Sequence, residues 1–276
     1  MSKQGIHLPA SEPFELSWRG EVALLQPADW AASGVLAAVS TRIGGVSEGA
    51  YGTMNPSLSS GDDPARVEEN RRRLVSAIGA SGWPVATAHQ VHGREVHVVA
   101  TPPQLAWGQG ISPRADALVT TLPGVLLTLV VADCVPILLR APGGRGVAVV
   151  HAGWRGSAAG VTESAVRELC RLSGAGAHEL EAAIGPAIGP ECYPVGEEVR
   201  QEILRNHPWA LAETAGGRLD LPTLQRKVLE REGLEPKSVL TSGLCTRCWP
   251  DLLFSYRRDG ARSGRMAAII GLEKQE

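Results

Sequence analysis

Residues 147–156 read "VAVVHAGWRG", a run of four apolar residues that ends in a histidine and then passes through glycine, tryptophan and arginine. The apolar run predicts a buried strand, and Gly153 predicts a turn after it. The stretch that follows, "TESAVRELCRL", predicts a helix with Thr162 as its N-cap. A strand, a turn and a helix in this order indicate an α/β fold, with His151 at the end of the strand.

Helices and strands continue to alternate on either side of this unit. The stretch "GDDPARVEENRRRL" predicts a helix capped by Asp63, and two later helices are expected to begin near Gly196 and at Asp220. Residues 85–99 alternate loosely and residues 124–139 are apolar on both faces, so each range is predicted as one strand. The pattern as a whole predicts a layered α/β domain.

The chain reads as one continuous domain after a short start. We expect a loose N-terminal lead-in over residues 1–17 and a single domain over residues 18–276. A chain of 276 residues with 43% hydrophobic residues is long enough to bury a sizeable core.

Charge and hydropathy limit the partners that we expect. The 27 basic and 29 acidic residues give a net charge of −2, which provides no strong field for nucleic acid or an anionic membrane. The longest apolar run, residues 124–132, is far shorter than the roughly 20 residues that span a bilayer. Pro9 and Pro13 interrupt the region where a secretory signal would be apolar. We therefore expect a cytoplasmic protein that binds small molecules, with no nucleic acid and no membrane as partner.

Three side chains that can bind a metal stand where predicted strands end or turn. His92 lies in "QVHG", Cys134 lies in "VADCVP", and His151 lies in "VVHAGWRG". Their separations along the chain suit ligands on neighbouring strands. Two imidazoles and one thiolate are typical ligands of zinc, and three protein ligands leave a fourth position open for water or substrate.

Cysteine usage is that of a protein with free thiols. The five cysteines are widely spaced and odd in number, unlike the dense pattern of a disulfide-stapled secreted domain. Cys245 and Cys248 form "CTRC", which has the spacing of a zinc knuckle or a redox motif, but no second CxxC or HxxxH accompanies it. We interpret Cys248 as a local structural thiol.

Several segments stand in the order seen in the YfiH-like, laccase-domain family. They are "STRIGGVSEGAYGTMN", "GDDPARVEENRRRL", "HQVHGREV", "ADALVTTLPGVLLTLVVADCVPILL", "VAVVHAGWRGSAAGV", "AAIGPAIGPECYPVGEEV" and "LFSYRRDGARSGRMAAII". The chain resembles this family from about Val35 to Leu272, and "ADC" followed by "HAGWRG" at this spacing is very specific.

The resemblance implies a fold, an activity and a set of site residues. The implied fold is a single α/β/α layered domain with a mixed sheet, and the implied oligomeric state is a monomer. The implied enzyme is a zinc-dependent purine nucleoside phosphorylase that acts on adenosine, inosine, guanosine and methylthioadenosine and also deaminates adenosine. Older descriptions of the family name multicopper polyphenol oxidases. The implied zinc ligands are His92, Cys134 and His151, the residues grouped above.

Phosphorolysis and deamination place further demands on the site. Phosphate requires cationic or backbone donors beside the metal, and Arg42 in "STRIGG" is the first candidate, because a guanidinium gives phosphate two parallel hydrogen bonds. Arg155 is the second candidate, and Arg257 and Arg258 are lesser ones. Deamination would use a hydroxide held by zinc, while Asp133 passes the proton. We thus expect Cys134, His151 and Asp133 as the catalytic residues.

Three other classes of function are alternatives: a copper oxidase, a metal-free hydrolase and a binding module. A multicopper oxidase needs several coppers, and seven histidines with no HxH pair fall short of that demand. A single copper is an alternative to zinc, with Met54 or Met266 as an axial ligand. A metal-free hydrolase would use Cys134 as nucleophile and His151 as base. The last alternative is a binding module without catalysis.

Overall fold

The computed structural model describes residues 13–104, 107 and 112–274. Within them the strands are β1 (Phe14–Arg19), β2 (Val22–Pro27), β3 (Val35–Ser40), β4 (Val85–Ala86), β5 (Val96–Val98), β6 (Ala117–Thr120), β7 (Leu126–Val131), β8 (Val135–Arg140), β9 (Val147–Ala152), β10 (Glu181–Ile184), β11 (Val239–Thr241) and β12 (Met266–Leu272). The α-helices are α1 (Pro64–Ala77), α2 (Trp154–Ala159), α3 (Val161–Ser173), α4 (Glu197–Asn206), α5 (Leu221–Arg231) and α6 (Tyr256–Asp259).

The strands form two mixed sheets. The first sheet has the order β1-β2-β3-β12-β7-β4, and the second has the order β11-β10-β8-β9-β6-β5. Parallel pairs lie at the edges, β4 with β7 in the first sheet and β5 with β6 and β10 with β11 in the second. The α/β class and the mixed pairing are confirmed, and the structure has two sheets where the family resemblance led us to expect one.

Apolar residues of the two sheets pack against each other to form the central core. Val39 and Leu129 of the first sheet share this core with Leu138 and Val149 of the second. Helix α1 covers the outer face of the first sheet, and α3, α4 and α5 cover the outer face of the second. Both faces of each sheet are thus buried, which explains the continuous apolar runs in the sequence.

Two ranges predicted as single strands are each divided between the sheets. Residues 85–99 contribute β4 to the first sheet and β5 to the second, with a loop between them that carries His92. Residues 124–139 contribute β7 and β8, which part at Asp133, where φ is 87°. Both halves of residues 124–139 are buried, so hydropathy alone gives no sign of that switch, whereas β5 at the edge of the second sheet is only partly buried.

Most predicted helix starts are confirmed. Asp63 and Asp220 each accept a backbone N–H in the first turn of α1 and α5, and α4 begins directly after Gly196. Thr162 as the cap of α3 is wrong. The helix begins one residue earlier, at Val161, and the Thr162 hydroxyl donates to Oε1 of Gln225 in α5 instead.

The predicted lead-in is shorter than expected. Strand β1 begins at Phe14, before the predicted boundary at residue 18, and Phe14 pairs with Pro27 and is buried. Residues 1–12 of the lead-in lie outside the described residues. Among the described helices, none combines the length and the hydropathy needed to cross a membrane.

Candidate metal centre

The second sheet brings distant parts of the chain together at one end of its central strands β8 and β9. Val135 and Ala152 are paired where β8 begins and β9 ends, so Cys134, just before β8, lies beside the end of β9. His151 is the last residue but one of β9, and Gly153 links this strand to α2. The left-handed backbone at Asp133 lets the chain leave one sheet and enter the other at this point.

The structure places His92, Cys134 and His151 in one group. One nitrogen of each imidazole and the Cys134 sulfur all lie within 4.8 Å of one another. The two imidazole rings meet edge to face, with centroids 4.8 Å apart. His92 is exposed, Cys134 is half-buried and His151 is buried, so the group opens to solvent on the His92 side.

Asp116 is the residue that sequence reasoning missed. It is fully buried just before β6, and its Oδ1 is 2.8 Å from Nδ1 of His151. Its two oxygens also accept the backbone N–H groups of Val91, His92 and Gly93. One carboxylate therefore fixes the ring of His151 and the turn that carries His92. A carboxylate behind a histidine ligand is the usual partner in metal sites.

Two glycines of "HAGWRG" allow this close packing. A Cβ at Gly153 would lie 2.9 Å from the Cys134 sulfur and 2.9 Å from Cδ2 of His92. A Cβ at Gly156 would lie 2.9 Å from the carbonyl oxygen of Gly93. The glycines therefore serve the group directly, because any larger residue would occupy the space of a ligand or of its supporting turn.

Charges within the group favour the ionised thiol. Burial alone would raise the pKa of Cys134, but the two histidines beside it lower that pKa to about 6. Burial alone would lower the pKa of His151, but Cys134 and Asp116 raise it to about 9. The thiolate is the form of cysteine that binds metals and attacks electrophiles.

Asp133 lies next to the group, but its carboxylate points to the loop that follows β11. Oδ1 accepts the hydroxyl of Thr246 at 2.6 Å, and Oδ2 accepts the backbone N–H of Arg257 at 2.6 Å. Asp133 therefore joins the β7–β8 bend to the start of α6.

The two arginines predicted to bind phosphate lie in different surroundings. Arg42 donates to the carbonyl oxygens of Gly52 and Pro250, and its guanidinium lies 4.7 Å above the ring of Phe254. Arg42 lines a cavity of about 680 Å³ that is distinct from the His–Cys–His group. The lining residues of this cavity are Trp18, Glu21, Arg42, Ile43, Gly44, Gly45, Gly52, Thr53, Pro250 and Asp251.

Arg155 lies near the group. It is exposed on α2, directly after the loop from His151, with its guanidinium 4.3 Å above the ring of Trp154. The pKa of Tyr193 is affected by charges from both Cys134 and Arg155. Burial and the negative charge of Cys134 raise the pKa of Tyr193 to about 12, while the positive charges of Arg257 and Arg155 act in the opposite direction.

The two methionines considered above as axial copper ligands are both buried in the apolar core. Met54 is fully buried among apolar residues between α1 and the first sheet. Met266 is fully buried in β12, where its sulfur accepts the backbone N–H of Phe254.

The donor set fits a divalent metal such as zinc. It supplies two imidazole nitrogens and one thiolate at compatible spacing, with a carboxylate behind the buried histidine. Metal binding requires the thiolate, and the pKa of Cys134, which lies below neutrality, favours that form. His92, Cys134 and His151 would hold the ion, and the exposed side would admit substrate.

We expect Asp116→Asn to weaken zinc binding by about 10- to 100-fold, the usual cost of losing a partner behind a metal ligand. In the variant an amide NH₂ group, itself a donor, would face backbone N–H groups that now donate to the carboxylate. Zinc affinity is measured by competition with a chromophoric chelator. Asp220→Asn is the matched control, because asparagine caps a helix as well as aspartate does. Unchanged zinc affinity in Asp116→Asn would contradict the role of Asp116.

The fold and the site define a layered α/β protein with an open His–Cys–His group, suited to a catalytic metal, at the end of two central strands. The chain belongs to the family described as multi-copper polyphenol oxidoreductase laccase, whose pattern matches residues 36–273. The YfiH-like, laccase-domain family predicted from the sequence is thereby confirmed.

Relatives and solved structures agree over nearly the whole chain. A Deinococcus radiodurans protein named purine nucleoside phosphorylase is 39% identical over 241 residues, which are 87% of this chain and 90% of that protein. An Escherichia coli K12 protein named purine nucleoside phosphorylase YfiH is 39% identical over 243 residues, 87% and 94% of the two chains. The Bacillus licheniformis hypothetical protein YfiH matches with a TM-score of 0.86 at 32% identity, covering 95% and 99%. Geobacillus stearothermophilus YlmD matches with a TM-score of 0.84 at 34% identity, covering 95% and 100%.

Proposed function

We propose that the chain is a zinc-dependent purine nucleoside phosphorylase that acts on adenosine, inosine, guanosine and methylthioadenosine, with adenosine deamination as a second activity. The observation that carries the proposal is the open group of His92, Cys134 and His151 backed by Asp116. The printed names of relatives about 40% identical support the same reaction class. The enzyme acts as a cytoplasmic monomer on nucleosides and phosphate.

Phosphorolysis joins a phosphate oxygen to C1′ of the ribose while the bond from C1′ to the purine breaks. A zinc ion held by the group would supply a Lewis acid beside these atoms. The chain must supply cations for phosphate, and we assign this task to Arg155 rather than to Arg42. Arg155 is exposed close to Tyr193, whereas Arg42 is already committed to two carbonyl oxygens in another cavity.

Deamination replaces the amino group at purine C6 with oxygen, so a proton must move from water to the leaving ammonia. Asp133 is the proposed carrier, because each of its oxygens accepts one hydrogen bond and keeps a second lone pair. His151 is held by Asp116 at Nδ1, so its Nε2 remains on the side of Cys134 and would be the nitrogen that holds the ion. Cys134 and His92 complete the ligand set.

The test is chromatography of adenosine incubated with the purified protein, with and without inorganic phosphate. The proposal predicts adenine and ribose 1-phosphate only when phosphate is present, and some inosine in both samples. Equal release of adenine without phosphate would indicate a hydrolase. Absence of both adenine and inosine would overturn the proposal.

Arg155→Ala should raise the KM for phosphate about tenfold, since a charge-assisted hydrogen bond contributes roughly 1.5–3 kcal/mol. The KM for adenosine should change by less than about twofold, because the purine does not use this charge. Steady-state kinetics with phosphate as the varied substrate measures both values.

Two variants make the arginine assignment decisive. Arg171→Ala is the matched control, an exposed arginine of α3 that pairs with Glu168 of the same helix. Arg42→Gln removes the other candidate, and we expect it to leave the KM for phosphate unchanged. A raised KM in Arg42→Gln with none in Arg155→Ala would assign phosphate to the cavity that Arg42 lines.

A second candidate function is a metal-free cysteine hydrolase. The observation that favours it is that Cys134 contacts His151, which in turn contacts Asp116. These residues could act as nucleophile, base and orienting carboxylate, respectively. His92 on the other side of the thiol has no task in such a triad. Alkylation of Cys134 after chelation separates the two functions, because only the hydrolase keeps full activity without metal and loses it on alkylation.

Multicopper oxidase chemistry is disfavoured despite the family description. In the described part of the chain, the residues that can hold a metal form two groups, one with two histidines and one with cysteines only. A multicopper oxidase needs several histidine-rich copper sites close together. We therefore expect no oxidation of phenols above that of free copper in buffer.

A further inference from the structure

A second cluster of thiols lies outside the group described above. Cys192 is the last residue of a short turn after β10, and Cys245 and Cys248 lie in the "CTRC" turn after β11. The three sulfurs lie within 4.8 Å of one another, and those of Cys192 and Cys248 are 3.4 Å apart. The sequence interpretation of Cys248 as a local structural thiol overlooked Cys192, which is 56 positions away.

The backbone holds the two turns in register. The N–H of Ala187 donates to the carbonyl of Leu244 at 3.2 Å, and the N–H of Thr246 donates to the carbonyl of Ala187 at 3.0 Å. The N–H of Gly189 donates to the Cys245 sulfur at 3.2 Å. The cluster is therefore set by main-chain pairing between the loops after two parallel strands.

The chemistry of the cluster is that of a thiophilic cation site. Zinc binds thiolates at about 2.3 Å, so the sulfurs of a tetrahedral site lie about 3.8 Å apart, close to the spacing of this cluster. The CxxC spacing is the one that zinc sites use for two ligands from a single turn. Cys248 is exposed, which gives an ion access from solvent and leaves a fourth position for water. Arg247 donates a hydrogen bond to the Cys192 sulfur and would offset part of the negative charge of the thiolates once an ion is bound.

The cluster is also connected to the His–Cys–His group. Thr246 lies between the two cysteines of the turn and donates to Asp133, the neighbour of Cys134. Cys192 is followed by Tyr193, whose ring packs 5.0 Å from the guanidinium of Arg257. An ion that joins the two turns would therefore fix one wall of the first site.

We propose that Cys192, Cys245 and Cys248 bind a second zinc ion, which has a structural task and ties the turn after β10 to the turn after β11. None of the ligands of this second site belongs to the first group, so zinc binding here can be measured after the first site has been removed. Full occupancy corresponds to two zinc ions per chain, one in each site.

The test uses the full chain with the first site removed by His92→Ala and Cys134→Ser together. The reduced, chelator-stripped double variant is titrated with Zn²⁺ against a chromophoric chelator. We expect one equivalent of zinc to bind, with three sulfur neighbours at about 2.3 Å in X-ray absorption spectra. Adding Cys248→Ala should weaken this binding at least 100-fold, while adding Cys170→Ser should leave it unchanged.

Melting temperature provides a second measurement that does not depend on activity. Zinc should raise the melting temperature of the double variant and of its Cys170→Ser derivative, but not that of its Cys248→Ala derivative. Cys248 is exposed, so its replacement leaves the fold intact. Failure of the double variant to bind zinc, or undiminished binding after Cys248→Ala, would overturn the proposal. Loss of two thiols to a Cys192–Cys248 disulfide under mild air oxidation in the presence of zinc would also overturn it.

Discussion

Replacing Cys134 with serine should remove zinc from the first site and reduce phosphate-dependent release of adenine at least about 1,000-fold, or about 4 kcal/mol of transition-state free energy. The thiolate is the charged member of the ligand set, and its pKa of about 6 keeps it ionised at neutral pH. A serine hydroxyl stays protonated and binds zinc poorly. Zinc content and adenine release are measured on the same samples.

The control for this variant is Cys170→Ser, a half-buried cysteine of α3 that lies outside both thiol and histidine groups of the described residues. We expect Cys170→Ser to keep both zinc and activity. If Cys134→Ser kept its activity, the first site would not be the catalytic one. If it lost activity while keeping its zinc, Cys134 would act as a nucleophile, as in the hydrolase alternative.

Gly153→Ala should weaken zinc binding about 100-fold, and activity should fall with it. The new methyl group would lie 2.9 Å from both the Cys134 sulfur and the His92 ring, so one of them must move. His92 is exposed on a loop and is the side chain expected to swing away. Overpacking of this kind costs about 1–3 kcal/mol, which is consistent with a 100-fold loss of affinity.

The backbone conformation at Gly153 would not by itself destabilise the Gly153→Ala variant. Gly153 has φ of −76° and ψ of 167°, which alanine adopts without strain, and it precedes α2 without a side-chain cap. Gly93→Ala is the matched control in the same site. Its Cβ would make ordinary contacts of 3.5 Å to Val91 and 3.8 Å to Asp116. Equal zinc affinity in the two variants would show that the space at Gly153 is not reserved for the ligands.

Sequence patterns predicted the elements whose signals are local. Asp63 and Asp220 begin helices because an acidic cap followed by proline acts within a single turn. The three metal-ligand candidates were grouped because each stands where a strand ends. The structure brings the ligand atoms of those side chains within 4.8 Å of one another. The spatial grouping is therefore confirmed, although two of the predicted strands on which it was based are each divided in the structure.

Other features depend on contacts that no local pattern encodes. The strand predicted over residues 124–139 changes sheets at Asp133, where both halves are equally apolar. Asp116 precedes an apolar strand, and only its burial beneath His151 reveals its task. Asp116 stands just before β6, as Cys134 stands just before β8, and this position next to a strand is the sequence feature that could have pointed to Asp116. Cys192 joins the "CTRC" turn only through the parallel pairing of β10 with β11.

The choice between the two arginines also required the structure. Arg42 and Arg155 both stand beside glycines, and the sequence favoured Arg42. The backbone carbonyls of Gly52 and Pro250 hold the Arg42 guanidinium, and neither contact is implied by the motif "STRIGG". Our proposal of Arg155 over Arg42 as the phosphate ligand therefore depends on long-range contacts that the sequence does not show.

Removal and restoration of zinc is the measurement that tests the central claim most directly. Adenine release from adenosine in phosphate buffer is followed in chelator-stripped wild type, before and after Zn²⁺ is added back, with Cys134→Ser in parallel. We predict no release from the stripped protein, full recovery with Zn²⁺, and no recovery in Cys134→Ser. Full activity of the stripped wild type, or recovery with copper alone, would contradict a zinc centre at His92, Cys134 and His151.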